Sequence, residues 1–252
     1  MTTWVLLRGL MRESRHWGDF PHQLQRVIGE SDIVCIDFPG NGPLNAQHSL
    51  TSVPEMAEHC RQQLQAKGCT GPYHVLAISL GAMVAVAWAD AHPDDIKSMT
   101  LINTSLAPYN PFYQRLRPQN YPQLLRTLLF GNRRKREALI LKLTSNLTTK
   151  AAAPSIVDEW VHYAREFPIA RANILRQLRA ASQFRAPDHA PSTQVLMLAS
   201  KQDHLVSVKC SQEIAEKWEV ELQVHEHAGH DLPLDDSAWV IKMIQEWHTR
   251  VL

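Results

Sequence analysis

Ser79 stands in Ala77-Ile78-Ser79-Leu80-Gly81, directly after an apolar run (His74–Ile78) and directly before a small, apolar stretch of helical character (Ala82–Trp88). A serine on so sharp a strand-to-helix turn projects its hydroxyl clear of the sheet, and the helix N-terminus favours negative charge nearby. Strand and helix backbones converge at such a turn, so the residues two before and two after must be small; Gly81 is, and Ala77 carries one methyl more than glycine. The same serine could act only as the N-cap of the helix. To act as a nucleophile it needs a base for its proton, and the base needs an acid to orient it. Two polar loops follow later apolar runs: Ser200-Lys201-Gln202-Asp203-His204 after Val195–Ala199, and Glu226-His227-Ala228-Gly229-His230-Asp231 after Val220–His225.

Bringing positions so far apart in sequence to one place requires a scaffold, and its rhythm is visible. Runs of four or five β-branched or bulky apolar residues at Trp4–Leu7, Ile33–Asp37, His74–Ile78 and Met99–Asn103 read as buried parallel strands. Helical patterns lie between them, near Trp17–Ile28, Pro54–Gln65 and Ser79–Ala91, and strand–helix–strand order implies a parallel sheet with right-handed crossovers. The rhythm stops near Thr104 and resumes at Thr193, with strands Val195–Ala199 and Val220–His225, a helix Val208–Trp218 and a closing helix Ser237–Val251. Between the halves lie only helical patterns (Tyr121–Leu129, Arg133–Asn146, Ser155–Phe167, Ile169–Phe184) broken by prolines. We read 105–192 as a helical lid inserted into a core formed by 1–104 and 193–252.

The small-x-Ser-x-Gly turn, the late Asp loop and the Gly-His loop in that chain order resemble the α/β-hydrolase superfamily. The resemblance covers the core and stops at the lid. It implies an α/β-hydrolase fold, a mainly parallel sheet of about six strands flanked by helices. The chain begins at what corresponds to the family's third strand, so an N-terminal hairpin is not expected. The resemblance makes Ser79, Asp203 and His230 the catalytic triad, and Ser79 separates the chain from relatives with an Asp nucleophile. It places oxyanion-hole donors on the backbone N–H groups of Leu80 and Leu10, the latter in the loop Leu7-Arg8-Gly9-Leu10-Met11. Relatives usually carry His-Gly where this chain has Arg8-Gly9, which puts in doubt any part the histidine side chain plays there. Arg8, Gly9, Met11 and Trp160 are candidate substrate contacts. Trp17 reads as packing, and Asp37-Phe38-Pro39-Gly40-Asn41-Gly42 as a structural turn.

Composition sets the outer limits. With 252 residues, 20% charged and 44% apolar, and a formal net charge of +1, the chain is that of a globular protein with no bulk electrostatic bias toward nucleic acid. No run approaches a membrane span and no signal-peptide pattern opens the chain. Four scattered cysteines without Cys-x-x-Cys spacing fit reduced thiols, so a cytoplasmic location is expected. No cofactor and no metal is expected; His225, His227 and His230 read as a polar strand end beside the site. The charge is unevenly divided: 105–190 holds fourteen Lys and Arg against five Asp and Glu, and the remainder is acidic. A basic lid carrying Arg133-Arg134-Lys135-Arg136 would steer anionic substrates. Its aromatics Tyr109, Phe112, Tyr113, Tyr121, Phe130, Trp160, Phe167 and Phe184 could line an acyl pocket. These features suit a small-molecule acyl substrate, anionic or carrier-bound, cleaved as an ester or thioester. C–C hydrolysis or elimination by the same triad, and ligand binding without catalysis, remain open because one fold hosts many functions.

Overall fold

Alternation along β1 (Thr3–Leu7) sets the architecture: Val5 and Leu7 enter one buried cluster, and Trp4 and Leu6 enter another on the opposite face. In the computed structural model, which describes residues 2–251, five further strands join β1. They are β2 (Asp32–Ile36), β3 (Tyr73–Ile78), β4 (Ile96–Ile102), β5 (Gln194–Ser200) and β6 (Glu221–His225). The central ones are buried on both faces, and the edge strands β2 and β6 are partly buried. All pair in parallel in the order β2-β1-β3-β4-β5-β6, so the expected six-stranded sheet is present. The two outermost residues of the expected core, Met1 and Leu252, lie outside the described residues.

One face is covered by α2 (Val53–Ala66), α3 (Leu80–Ala91) and α9 (Val208–Trp218), the other by α1 (Phe20–Ile28) and α11 (Ser237–Val251). α3 is apolar on all sides because it lies between the sheet and α2; Trp88 is fully buried on it. Burying each such large side chain stabilises the fold by about 1.5–3 kcal/mol. The helix expected over Trp17–Ile28 is divided. Gly18, at φ 55°, ends a 3₁₀ turn (Ser14–Trp17), and α1 starts two residues later with Pro21 in its first turn.

Between β4 and β5 the chain forms α4 (Phe112–Arg115), α5 (Tyr121–Phe130), α6 (Arg133–Thr144), α7 (Ala153–Glu166) and α8 (Arg171–Gln183). Its two ends meet in a neck, where Ala186 N–H donates to Ala107 C=O at 2.6 Å. A separate small core of Leu141, Val157, Trp160 and Val161 holds α6 to α7. A short α10 (Leu232–Asp235) precedes α11; sequence periodicity did not indicate it, nor the single turn α4.

Candidate active site

The carboxyl ends of β1, β3, β4, β5 and β6 lie side by side in the sheet, and each carries one part of the site. Open parallel sheets bind ligands at this edge, where chain order reverses; here the reversal falls between β1 and β3.

Ser79 sits at the tip of β3 with φ 56° and ψ −116°, a conformation rare for a side-chain-bearing residue and worth about 1–3 kcal/mol of strain. The surroundings enforce it: Ser79 N–H donates to Ile102 C=O at 3.0 Å, and α3 begins at the next residue. A Cβ on Gly81 would lie 2.5 Å from Leu7 O and 2.7 Å from Arg8 O, so glycine lets α3 start directly against the end of β1. The same approach puts Gly9 beside the serine: a Cβ there would lie 3.2 Å from Ser79 Cβ and 3.7 Å from its Oγ. Gly9, next to Leu10, thus lies against the serine from a second chain segment, while Leu80 follows it directly. Leu80 occupies the first helical position, whose N–H has no partner within the helix.

Asp203 and His230 meet across the ends of β5 and β6, with His230 Nδ1 and Asp203 Oδ2 2.6 Å apart and both side chains buried. Asp203 Oδ1 accepts from the backbone N–H groups of Leu205 (2.7 Å) and Val206 (2.9 Å), which fixes the carboxylate. Burial alone lowers the pKa of His230. The charge and hydrogen bond of Asp203, with Asp231 beyond it, outweigh burial and leave the imidazole above its ordinary 6.5.

Asn103 and Thr104, at the end of β4, join Ser79 to His230. Asn103 Nδ2 donates to His230 C=O at 2.8 Å, its Oδ1 accepts from Ser200 N–H at 2.8 Å, and Thr104 Oγ1 donates to Ser79 C=O at 3.4 Å. Asn103 itself has φ 45°. Among the described residues no direct hydrogen bond links Ser79 Oγ and His230 within 3.5 Å; such contacts are often long before substrate binds.

Arg8 is placed differently from the expected substrate contact. Its guanidinium is buried against Asp231, over the ring of Trp17 at 4.7 Å, and thus faces the protein. Trp160 also belongs to the interior: it packs in the α6–α7 core with the Arg12 guanidinium 4.2 Å above its ring. Arg12 in turn binds Glu137 at 2.8 Å, and buried His16 beside it is held well below 6.5 by burial and by the charges of Arg12 and Arg8. Met11, at φ 63°, donates its N–H to Gln177 Oε1 of α8 at 2.9 Å. Phe112, Tyr113, Tyr121 and Phe130 are exposed on the surface of the inserted segment.

The inserted helices touch all three site loops. Gln177 reaches the β1 loop, Arg117 N–H donates to Leu205 C=O at 2.9 Å in the Asp203 loop, and Asp231 N–H donates to Thr144 C=O at 2.7 Å. Asp235 draws α6 to the His230 loop by accepting from Asn146 N–H (2.9 Å) and Gly229 N–H (2.6 Å). Asn103, Gln177, Asp231 and Asp235 had no signal in the sequence beyond being polar. A cavity of about 690 Å³ lies elsewhere, between Thr51–Pro54 and the Phe184–His189 loop, and contains none of these groups.

Both ring nitrogens of His225 are occupied, Nδ1 accepting from Ala228 N–H at 2.9 Å and Nε2 lying 3.2 Å from Asp236. Among the described residues no three His, Cys, Asp or Glu side chains cluster as metal ligands would, and no helix is long and apolar enough to cross a membrane.

Comparison with known proteins agrees with this architecture. The model of the alpha/beta hydrolase family matches residues 4–243, and the chain belongs to that family. The pimeloyl-[acyl-carrier protein] methyl ester esterase of Chromobacterium violaceum is 29% identical over 90 residues, 36% of this chain and 33% of its own. The monoacylglycerol lipase ABHD6 of Mus musculus is 30% identical over 90 residues, 34% of this chain and 27% of its own. The matches span only 25% to 33% of the curated relatives' lengths. A thermophilic esterase from Thermogutta terrifontis superposes with TM-score 0.79 at 17% identity, covering 100% of this chain and 90% of that one. The 2-hydroxy-6-oxo-6-phenylhexa-2,4-dienoate hydrolase of Rhodococcus sp. strain RHA1 does so at 0.79 and 18%, covering 99% and 91%. At these identities the two structures establish a shared fold.

Proposed function

We propose that the protein is a serine hydrolase that cleaves carboxylic esters or thioesters through an acyl-enzyme on Ser79. The observation that carries this reading is the buried His230–Asp203 pair at 2.6 Å, tied through Asn103 and Thr104 to a strained serine. His230 takes the Ser79 proton as Oγ attacks the acyl carbon. Asp203 holds the imidazole in the tautomer that accepts at Nε2 and stabilises the imidazolium. The N–H groups of Leu10 and Leu80 receive the developing oxyanion, which is worth about 2.7–4 kcal/mol per donor. His230 then protonates the leaving group, and water, deprotonated by the same histidine, releases the acid and restores Ser79.

In this reading 105–192 is the lid, the substrate is a small acyl compound, anionic or carrier-bound, and the setting is cytoplasmic. An ester-acting relative that uses a carrier-bound methyl ester and the basic excess of the segment support an anionic acyl group or carrier. The test is fluorophosphonate labelling with a panel of short and long esters and acyl-CoA thioesters. Labelling and turnover that vanish together in Ser79→Ala support the proposal; labelling retained in that variant, or none in the wild type, overturns it. A vinylogous diketone cleaved faster than every ester would move the reaction to C–C hydrolysis.

A further inference from the structure

We infer that the outer surface formed by α4, α5 and α8 is a docking face for an anionic lipid surface. Of the large apolar side chains exposed among the described residues, all but Val27 and Val251 lie on the inserted segment. Phe130 is 82% exposed, Phe112 73%, and Leu125 and Leu175 each 57%.

The elements that carry these side chains are joined in a ring. Tyr121 Oη donates to Leu116 C=O just beyond α4 (3.0 Å), Arg171 donates to Leu129 C=O (3.2 Å), and Arg115 donates to Ala181 C=O (2.7 Å). On α8 the division is sharp: Asn173, Ile174, Gln177 and Ala180 face inward, while Leu175, Leu178, Arg176 and Arg179 face out. Large exposed apolar side chains gathered on adjoining elements mark an interaction site.

Charge decides the partner. α4, α5 and α8 contain no Asp or Glu, yet Arg126, Arg171, Arg176 and Arg179 are exposed on them. The segment's Glu137, Asp158 and Glu166 are engaged by Arg12, Arg134 and Arg15. Apolar rings and leucines interleaved with arginines, without carboxylates, match a bilayer surface, where side chains enter the acyl boundary and guanidiniums meet phosphates. A two-fold pairing of this face with itself would oppose arginine to arginine. An acidic soluble protein would satisfy the arginines but not the protruding Phe112 and Phe130. Docking is independent of the chemistry at Ser79; that the acyl substrate is drawn from the lipid surface rests on the hydrolase reading.

The test uses the full chain carrying Ser79→Ala and sedimentation with vesicles of phosphatidylcholine alone or mixed with phosphatidylglycerol. Binding is expected only to the mixed vesicles and reversed by salt. It should fall roughly fivefold for each of Arg126, Arg171, Arg176 and Arg179 changed to Gln, and also in Phe130→Ser with Leu125→Ser. Equal sedimentation with both vesicle types, or binding unchanged in either variant set, overturns the proposal. So does a dimer in light scattering that the Phe130→Ser, Leu125→Ser variant abolishes, or polyglutamate binding that needs the arginines but is indifferent to Phe130→Ser. The same substitutions on the Ser79-containing chain should leave fluorophosphonate labelling and circular dichroism unchanged. Labelling of the wild type separately reports the hydrolase reading.

Discussion

Arg8 and Asp231 form a forked ion pair, Nη1 to Oδ1 at 3.0 Å and Nη2 to Oδ2 at 2.5 Å, with both side chains 4% exposed. The pair binds the loop after β1, which carries Leu10, to the residue following His230. It thereby couples the position of an expected oxyanion donor to that of the expected base. Removing one member of a buried pair leaves an uncompensated charge and costs about 3–5 kcal/mol. We expect Arg8→Met and Asp231→Leu each to lose stability on that scale, and the double variant to lose less than their sum. Urea unfolding of the singles and the double measures the coupling; additive losses would show that the two residues act independently.

The raised pKa of His230 gives a sign for pH dependence. The base must be neutral, so kcat/KM should fall as pH drops through a value above 6.5. Asp203→Asn removes the charge that raises it, so the acidic limb should move down while kcat falls on the order of ten-thousand-fold. A wild-type limb below 6.5, or one that Asp203→Asn does not move, would contradict this. The linked stability has the opposite course, present below the unfolded-state pKa and lost as pH rises through the folded one.

The strands and the serine turn were legible because buried parallel strands are continuous apolar runs and the turn demands small residues at fixed positions. Trp4–Leu7 and Val195–Ala199 lie within observed strands, and Ser79 stands at the strand–helix junction. Asn103, Gln177 and Asp235 were illegible, since a polar residue declares its importance only when a fold buries it against backbone groups from remote segments. Arg8 and Trp160 depend on remote segments in the same way. The loop after the first strand marked Arg8, and aromaticity in the inserted segment marked Trp160, as candidate substrate contacts; partners more than a hundred residues away, Asp231 and Arg12, hold both side chains in the interior.

Gly81 is required by space. An added Cβ would stand 2.5 Å from Leu7 O, and the obstacle is backbone that cannot rotate away. Gly81→Ala should therefore cost about 1–3 kcal/mol and displace the Leu7–Leu10 segment, lowering kcat more than it raises KM. Ala77→Gly relieves no clash and should cost under about 1 kcal/mol with kcat retained. Equal kinetics for the two variants would argue against the turn's tightness.

Asp37, at the end of β2, is pushed up to about 6 by burial, although Ser14 N–H (2.6 Å) and Ser14 Oγ (3.0 Å) both donate to it. A carboxyl with a folded pKa above its unfolded 3.8 stabilises the fold while protonated and loses that contribution as pH rises toward 6. Thermal denaturation from pH 4 to 7 should show Asp37→Asn gaining on the wild type across that window. A constant difference in Tm would show that the carboxyl titrates normally.

Gln177 connects the inserted helices to the loop that carries Leu10. Fully buried on α8, it accepts from Met11 N–H at 2.9 Å and donates to Asn41 Oδ1 at 2.8 Å and Ser49 Oγ at 3.1 Å. Gln177→Leu keeps the volume roughly constant but leaves the Met11 N–H and Asn41 Oδ1 buried without partners, at about 1–3 kcal/mol each. Met11 is held at φ 63°, so losing its anchor should let the loop relax and swing the Leu10 N–H out of line. We expect kcat to fall with KM little changed, because an oxyanion donor acts in the transition state. Gln177→Glu, which keeps an acceptor for Met11, should recover more of kcat than of stability. A Gln177→Leu protein that unfolds more easily yet turns over normally would show that α8 supports the fold without positioning the loop.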